Sequence, residues 1–206
     1  MKLQAYLNHL NLLSEKEIES ALSLFYQEVY QKGDYYLQEG QHSHKISFIE
    51  SGLFRLFYQV DGEEKIMLFF SDNQFMTDYF GYLTRSPSIR PIQALEESIV
   101  YSINREHMDQ LFHDSKNWER VGRSLAESAY VASVLRANRI IHDSFDTRVE
   151  AFLTEKPDLL QRVPNYMIAS YLNMTPETFS RVKRRLIAEP HIRKSIHDSH
   201  QSDFLI

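Results

Sequence analysis

The stretch Val163–Ile187, VPNYMIASYLNMTPETFSRVKRRLI, decides how the chain is read. It divides into two short helical segments around Asn173. Ile168, Ala169 and Leu172 fall on one face of the first segment. Met174, Phe179, Val182 and Leu186 form the apolar side of the turn and the second segment. Two helices that cross steeply leave room only for a small side chain at Ala169. Asn173 stands where the turn needs a positive φ, which Asn tolerates better than most residues. Thr175 reads as an N-cap, and Pro176 follows at the first helical position, where its missing N–H costs nothing. The second helix then exposes Glu177, Thr178, Ser180, Arg181, Lys183, Arg184 and Arg185. This is the pattern of a DNA-binding helix-turn-helix, whose second helix enters the major groove. The candidate DNA-binding residues are those seven and Thr175. A helical hairpin with a solvated basic face is the plainer reading. The four basic residues between Arg181 and Arg185 weigh against it, since phosphate neutralisation supplies most non-specific DNA affinity.

At 206 residues the chain has room for one or two domains, each with its own core. A hydrophobic share of 43% and an aromatic share of 13% argue for a folded globular protein. Cysteine is absent, which excludes disulfides, cysteine-ligated iron–sulfur clusters and thiolate zinc sites. The apolar run Ile66–Phe70 is far too short to span a bilayer. The N-terminus lacks a secretory apolar core and cleavage site, so the expected location is the cytoplasm, with no membrane partner. Net charge is −5. Its distribution is uneven: residues 146–194 carry nine Lys and Arg against six Asp and Glu, and residues 1–145 are net acidic. That contrast suggests two units with different partners.

Outward from the basic segment, the chain changes character twice. Residues 1–26 read as helical, with Leu3, Leu7 and Leu10 at helical spacing and a Ser14–Glu17 capping box before Ile18, Leu22 and Phe25. From Glu28, short runs of β-branched and aromatic residues alternate with turn residues. Asp61–Gly62, between two apolar runs, is a hairpin signal, since a type I′ turn needs positive φ at both central residues. Further strands are expected around Ile89–Glu96 and Ile99–Ile103. Many short, regularly spaced strands imply an antiparallel sandwich or barrel reaching about Ile103. Asn104 is expected to cap a helix through Phe112. Another helix runs from about Lys116 to His142, and Val121, Leu125, Ser128, Ala132 and Leu135 step along it by four and three. That narrow seam reads as the interface of a parallel helix-pair homodimer, with packing on its own domain as the plainer alternative. Thr147–Lys156 is a further helix, ended by Pro157. The fold class is therefore α+β, divided into 1–115 (β unit), 116–143 (dimerisation helix), 146–194 (helix-turn-helix) and 195–206 (polar tail).

A β-rich unit, a long connecting helix and a terminal helix-turn-helix, in that order, resemble the CRP/FNR family of bacterial transcription regulators. The resemblance covers roughly Leu22 to Ile187. It is carried by FIESGLFRLFYQVDGEEKIMLFF (48–70) and TPETFSRVKRRL (175–186). VPNYMIASYLNMTPETFSR (163–181) looks most like members from the Bacteroidetes lineage. The resemblance implies a cyclic-nucleotide-binding-like jelly-roll, a dimerisation helix and a winged helix on palindromic double-stranded DNA, with RNA polymerase as a partner. Members that bind cyclic AMP carry a phosphate cassette, matched here by FMTDYFGYLTRSPSIRPIQALEES (75–98). Asp78 takes the place of the ribose-binding Glu, and Ser88 and Ile89 stand where Arg and Ser are expected. Ser88 supplies no charge to a cyclic phosphate, and Arg85 and Arg90 are shifted in register. The expectation is an effector pocket around Asp78, Tyr79, Arg85, Ser88 and Arg90 that does not bind cyclic AMP tightly. In the recognition helix Glu177 and Arg181 keep the family's places one turn apart, suited to cytosine N4 and to guanine O6 and N7. The family's first Arg becomes Pro176, and residues after Ile187 show no clear pair of strands for a wing.

Other features read more plainly. His42-Ser43-His44 looks like a metal pair but fits an exposed polar loop better. Arg55 is expected to pair locally on its strand, and Tyr79, Phe80 and Tyr82 to line a pocket or core. No nucleophile elbow, phosphate-binding glycine loop, metal-ligand cluster or paired carboxylates stand out. The expectation is no enzyme, catalytic residue, metal or cofactor. The competing readings are a cupin-like β-barrel enzyme or ligand-binding protein with a helical appendage, and a regulator acting by protein contact alone.

Overall fold

The structure is a computed structural model that describes residues 2–189 and Ile192. The chain forms two compact units, Met1–Glu63 with Met67–Glu127, and Glu64–Ile66 with Ser128–Ile206.

The first unit begins with α1 (Lys2–His9) and α2 (Glu15–Leu22). The capping box is present: the Glu17 N–H donates to Ser14 Oγ, and the Ser14 N–H donates to Glu17 Oε2 at 2.8 Å. Eight antiparallel strands follow: β1 (Tyr26–Tyr30), β2 (Tyr35–Leu37), β3 (Lys45–Ser51), β4 (Leu53–Val60), β5 (Glu63–Ser71), β6 (Phe75–Met76), β7 (Ile92–Ala94) and β8 (Ser98–Asn104). They make two four-stranded sheets, ordered β1-β8-β3-β6 and β2-β7-β4-β5. Asp61 and Gly62 both have positive φ, +51° and +80°, as the hairpin signal requires. Period-two alternation sorts the core. Phe48 joins Leu3, Leu7, Ile18, Ile103 and Trp118 in one buried cluster, while its neighbour Ile49 joins Phe54, Leu56, Met76, Ile92 and Val100 in another. Gly52 is required at its site, because its φ is +128° and a Cβ there would lie 2.1 Å from Ser98 Oγ.

Three short helical features depart from the sequence reading. The first helical stretch ends at Leu22, and β1 already starts at Tyr26. A helix unforeseen in the sequence, α3 (Tyr79–Thr84), interrupts the strands. Then α4 spans Arg105–Asp114, but Asn104 does not cap it through its side chain. Its Oδ1 instead accepts from the Tyr26 hydroxyl at 2.8 Å.

The long helix, α5 (Lys116–His142), has the expected bounds. Its expected seam does not lie on one free face. Val121 is 1% exposed and closed into the core around Trp118, and Leu125 packs against that core. Val121 therefore has no surface to give an interface. Ala132 and Leu135 are exposed and Ser128 is half-buried. The exposed large apolar residues of α5 are instead Tyr130, Val131, Val134, Leu135 and Ile141.

The second unit continues with α6 (Phe145–Glu155), capped by Ser144, whose Oγ accepts from the Thr147 N–H at 3.2 Å. A single-turn helix absent from the sequence reading, α7 (Leu159–Arg162), precedes α8 (Asn165–Tyr171) and α9 (Pro176–Ile187). The 195–206 tail and most of the segment where a wing was in question lie outside the described residues.

Candidate nucleic-acid interface and effector pocket

Between α8 and α9 the chain turns on Asn173, at φ +53°. The Met174 N–H donates to the Ala169 carbonyl at 3.0 Å, and Ala169 is wholly buried. The Thr175 hydroxyl oxygen accepts from the Thr178 N–H at 3.2 Å, with Pro176 at the first helical position. Phe179 and Val182 face inward with Ile168, Leu172 and Val149. One anchor escaped the sequence reading. Arg148 of α6 is buried and donates from Nη1 to the Leu172 carbonyl oxygen at 2.6 Å, closing the C-terminal end of α8. Nothing in the sequence distinguishes this Arg from the solvated ones.

On the outer side of α9, Glu177, Arg181, Arg184 and Arg185 are exposed, and Thr178, Ser180 and Lys183 are half-buried. Arg181 and Arg184 have no side-chain partner among the described residues. The others are partly committed. Arg185 forms an ion pair with Asp146. The Lys183 ammonium donates to Asn165 Oδ1 at 3.1 Å and lies 5.5 Å from the Phe179 ring centroid. Burial holds its pKa below the usual lysine value. The Glu177 carboxyl is held below its usual range by its own backbone N–H and by the Thr175 hydroxyl. Asn165 and Tyr166 of α8 are exposed beside this face and were not foreseen. Exposed guanidiniums, a carboxylate and small hydroxyls together have the chemistry to meet both base edges and phosphates.

The expected pocket residues of the first unit separate. Asp78, Ser88 and Arg90 come together: Arg90 Nη2 donates to Asp78 Oδ1, and the Ser88 hydroxyl donates to Asp78 Oδ2 at 2.6 Å. Asp78 and Ser88 are buried. Arg85 lies apart from the cluster as the left-handed C-cap of α3, and its carbonyl faces His42 Nδ1. Tyr79 is at the edge of exposure and Phe80 is largely exposed, so neither belongs to the core, while Tyr82 is buried. Arg55 does pair locally, donating to Gln93 Oε1 at 2.7 and 3.1 Å.

A polar cluster in the β unit had no signal in the sequence. Lys45 Nζ lies 2.7 Å from both carboxylate oxygens of Glu28, 3.0 Å from the Tyr30 hydroxyl and 4.7 Å from the Tyr36 ring centroid. Burial pushes the Glu28 pKa up, but hydrogen bonds from Lys45 and Ser102 outweigh it and the net shift is down. A hollow of about 330 Å³ adjoins it, lined by Tyr36, Leu37, Gln41, His42, Ser43, His44 and Lys45. The two histidines turn their Nδ1 atoms to the backbone carbonyls of Arg85 and His42. Among the described residues no group of three or more His, Asp or Glu could hold a metal ion, and no helix is long and apolar enough to cross a membrane.

Residues 27–115 match the family model of the cyclic nucleotide-binding domain. No curated protein sequence matches the chain. Among solved structures, the chain is similar to FixK2 from Bradyrhizobium japonicum, at TM-score 0.70 and 16% identity over 80% of this chain and 85% of that one. A protein assigned to the CRP/FNR family from Eubacterium rectale aligns at TM-score 0.67 and 16% identity over 94% and 100%. The catabolite activator protein of Thermus thermophilus aligns at TM-score 0.55 and 20% identity over 85% and 84%. At these identities what is shared is the fold.

Proposed function

We propose that the chain is a sequence-specific DNA-binding transcription regulator of the CRP/FNR type, of the kind met in the Bacteroidetes lineage. It works as a homodimer on palindromic duplex sites and in contact with RNA polymerase. Its β-roll answers to something other than cyclic AMP or serves as a scaffold. The observation that carries this reading is α9, where Arg181 and Arg184 stand exposed beside Glu177, without a side-chain partner among the described residues, on a helix fixed by a tight turn and a Thr175 cap. Glu177 and Arg181 are assigned to base edges, and Thr175, Thr178, Ser180, Arg184 and Arg185 to the phosphate side.

The homodimer is supported by the free face of α5. Val131, Val134, Asn138 and Ile141 step by three, four and three and are all exposed. At about 100° per residue this stripe lies roughly a third of a turn from the Val121–Leu125–Ser128–Ala132 line. Val131 and Asn138 occupy a positions and Val134 and Ile141 d positions. β-branched residues and a single Asn at a positions suit a parallel pair in fixed register.

Fluorescence anisotropy with labelled genomic promoter fragments and a random duplex tests the function. Tighter binding to a palindromic fragment than to the random duplex, falling with added salt, supports it. Equal binding to both removes sequence specificity and leaves a regulator that acts through protein contact.

A further inference from the structure

A cyclic nucleotide brings a phosphate anion, and a buried anion needs a cation or several N–H donors to offset its desolvation. In the segment matched to the cyclic nucleotide-binding domain, Arg90 is the guanidinium beside Ser88, and it is already engaged. Its Nη2 donates to Asp78 Oδ1, and the pair is deeply enclosed, with side chains 12% and 2% exposed. Ser88 spends its proton on the other carboxylate oxygen and accepts from the Arg90 N–H at 3.1 Å. Arg90 Nη1 points at Met67 Sδ, 3.9 Å away, and Phe80 covers the guanidinium with its ring centroid 5.5 Å off. Packing against the carboxylate is close, since a Cβ at Gly81 would lie 2.5 Å from Asp78 Oδ2. Arg90 Nε is buried with no hydrogen-bond partner among the described residues, so the guanidinium keeps one unused donor.

We propose that the Asp78 carboxylate is a built-in anion that fills the site of Arg90, so that the β-roll refuses small phosphate esters. This rests on the reading of the β-roll as an effector module that cyclic AMP does not drive. An incoming phosphate would have to displace Asp78 and leave a buried carboxylate unpaired beside a second negative charge, which is strongly unfavourable. Removing the charge of Asp78 while keeping its shape leaves Arg90 buried without a counter-ion. The variant should then accept from solution the kind of anion that the native chain excludes.

The test is calorimetric titration of the full chain, native, Asp78→Asn and the double variant Asp78→Asn/Arg90→Gln, with cyclic AMP, cyclic GMP, inorganic phosphate and uncharged adenosine. DNA takes no part in it, so failure of the DNA-binding reading leaves the result interpretable. The expected result is no binding by the native chain and binding by Asp78→Asn that is tighter by about tenfold or more for the phosphate-bearing probes, the scale of one charge-assisted pair. Adenosine should show no gain, and the double variant should lose it. If Asp78→Asn does not stay folded alone, phosphate or cyclic AMP should restore its folded signal. Micromolar binding of a cyclic nucleotide by the native chain overturns the proposal. So does an Asp78→Asn chain that neither binds these anions nor is refolded by them, or a gain that survives loss of Arg90.

Discussion

Arg148 donates to the carbonyl oxygen of Leu172 across 2.6 Å, from a side chain that the second unit buries almost completely. A guanidinium thereby takes one of the carbonyls that the last turn of a helix leaves without an intrahelical partner. The bond joins α6 to the start of the turn that leads into α9.

Arg148→Met keeps much of the volume and removes the bond. The expected loss is about 2 kcal/mol, the scale of a buried charge-assisted hydrogen bond. Chemical denaturation followed in the second unit measures it, and Arg148→Lys should recover part of the loss. A Met variant as stable as the native chain would show the bond to be dispensable.

On the DNA side, Arg181→Ala should weaken operator binding by about 1–3 kcal/mol and relax discrimination at one base pair. Competition binding with single-base operator variants reads this out. A uniform loss on every sequence would move Arg181 from base to phosphate.

Lys183 and Arg184 are neighbours with different engagements. Arg184 has no partner among the described residues, so Arg184→Ala should lower the slope of log affinity against log salt by about 0.9. The Lys183 ammonium already serves Asn165. Lys183→Ala should lower the slope by less than about half that amount, while Asn165→Ala leaves it unchanged because a neutral contact releases no counterion. Equal slope changes for the two basic residues would place Lys183 on a phosphate.

The absence of cysteine makes the dimer face open to direct mapping. In a parallel helix pair the a positions of the two copies face each other closely. Asn138→Cys should therefore oxidise to a covalent dimer, and Ala132→Cys should not. A non-reducing gel after mild oxidation decides, and the reverse result would restore the Ser128–Ala132 side as the interface.

Acid stability of the first unit should depend on Glu17. Hydrogen bonds from Ser115, from the Ser14 backbone and side chain, and from Asn117 hold its pKa at about 2. The folded value lies below the ordinary one, so the contribution is full above the usual carboxylate range and is lost as pH falls through it toward about 2. Glu17 is half-buried, so solvent screens part of the effect. The stability difference between the native chain and Glu17→Gln should be present near neutral pH and shrink steadily on acidification. A difference independent of pH would remove Glu17 from this role.

Local chemistry was legible wherever a short run of residues fixes a backbone geometry. The Ser14–Glu17 box, the Asp61–Gly62 hairpin, the Asn173 turn and the Thr175–Pro176 helix start depend on contacts within four residues, and the structure has all of them. Helical periodicity likewise gave α5 its bounds, because 27 residues average out single exceptions. Which face of α5 is free was decided only in three dimensions: Val121 is apolar like Val134, but Trp118 and the strands behind it bury one and not the other. The fate of each charge was set the same way. Arg90 and Arg148 look in the sequence like Arg181 and Arg184, yet Asp78 lies 12 positions from Arg90 and Leu172 lies 24 from Arg148. Pairings over such separations follow from how the elements pack, since hydrogen bonds and ion pairs act over a few ångströms in space, whatever the distance along the chain.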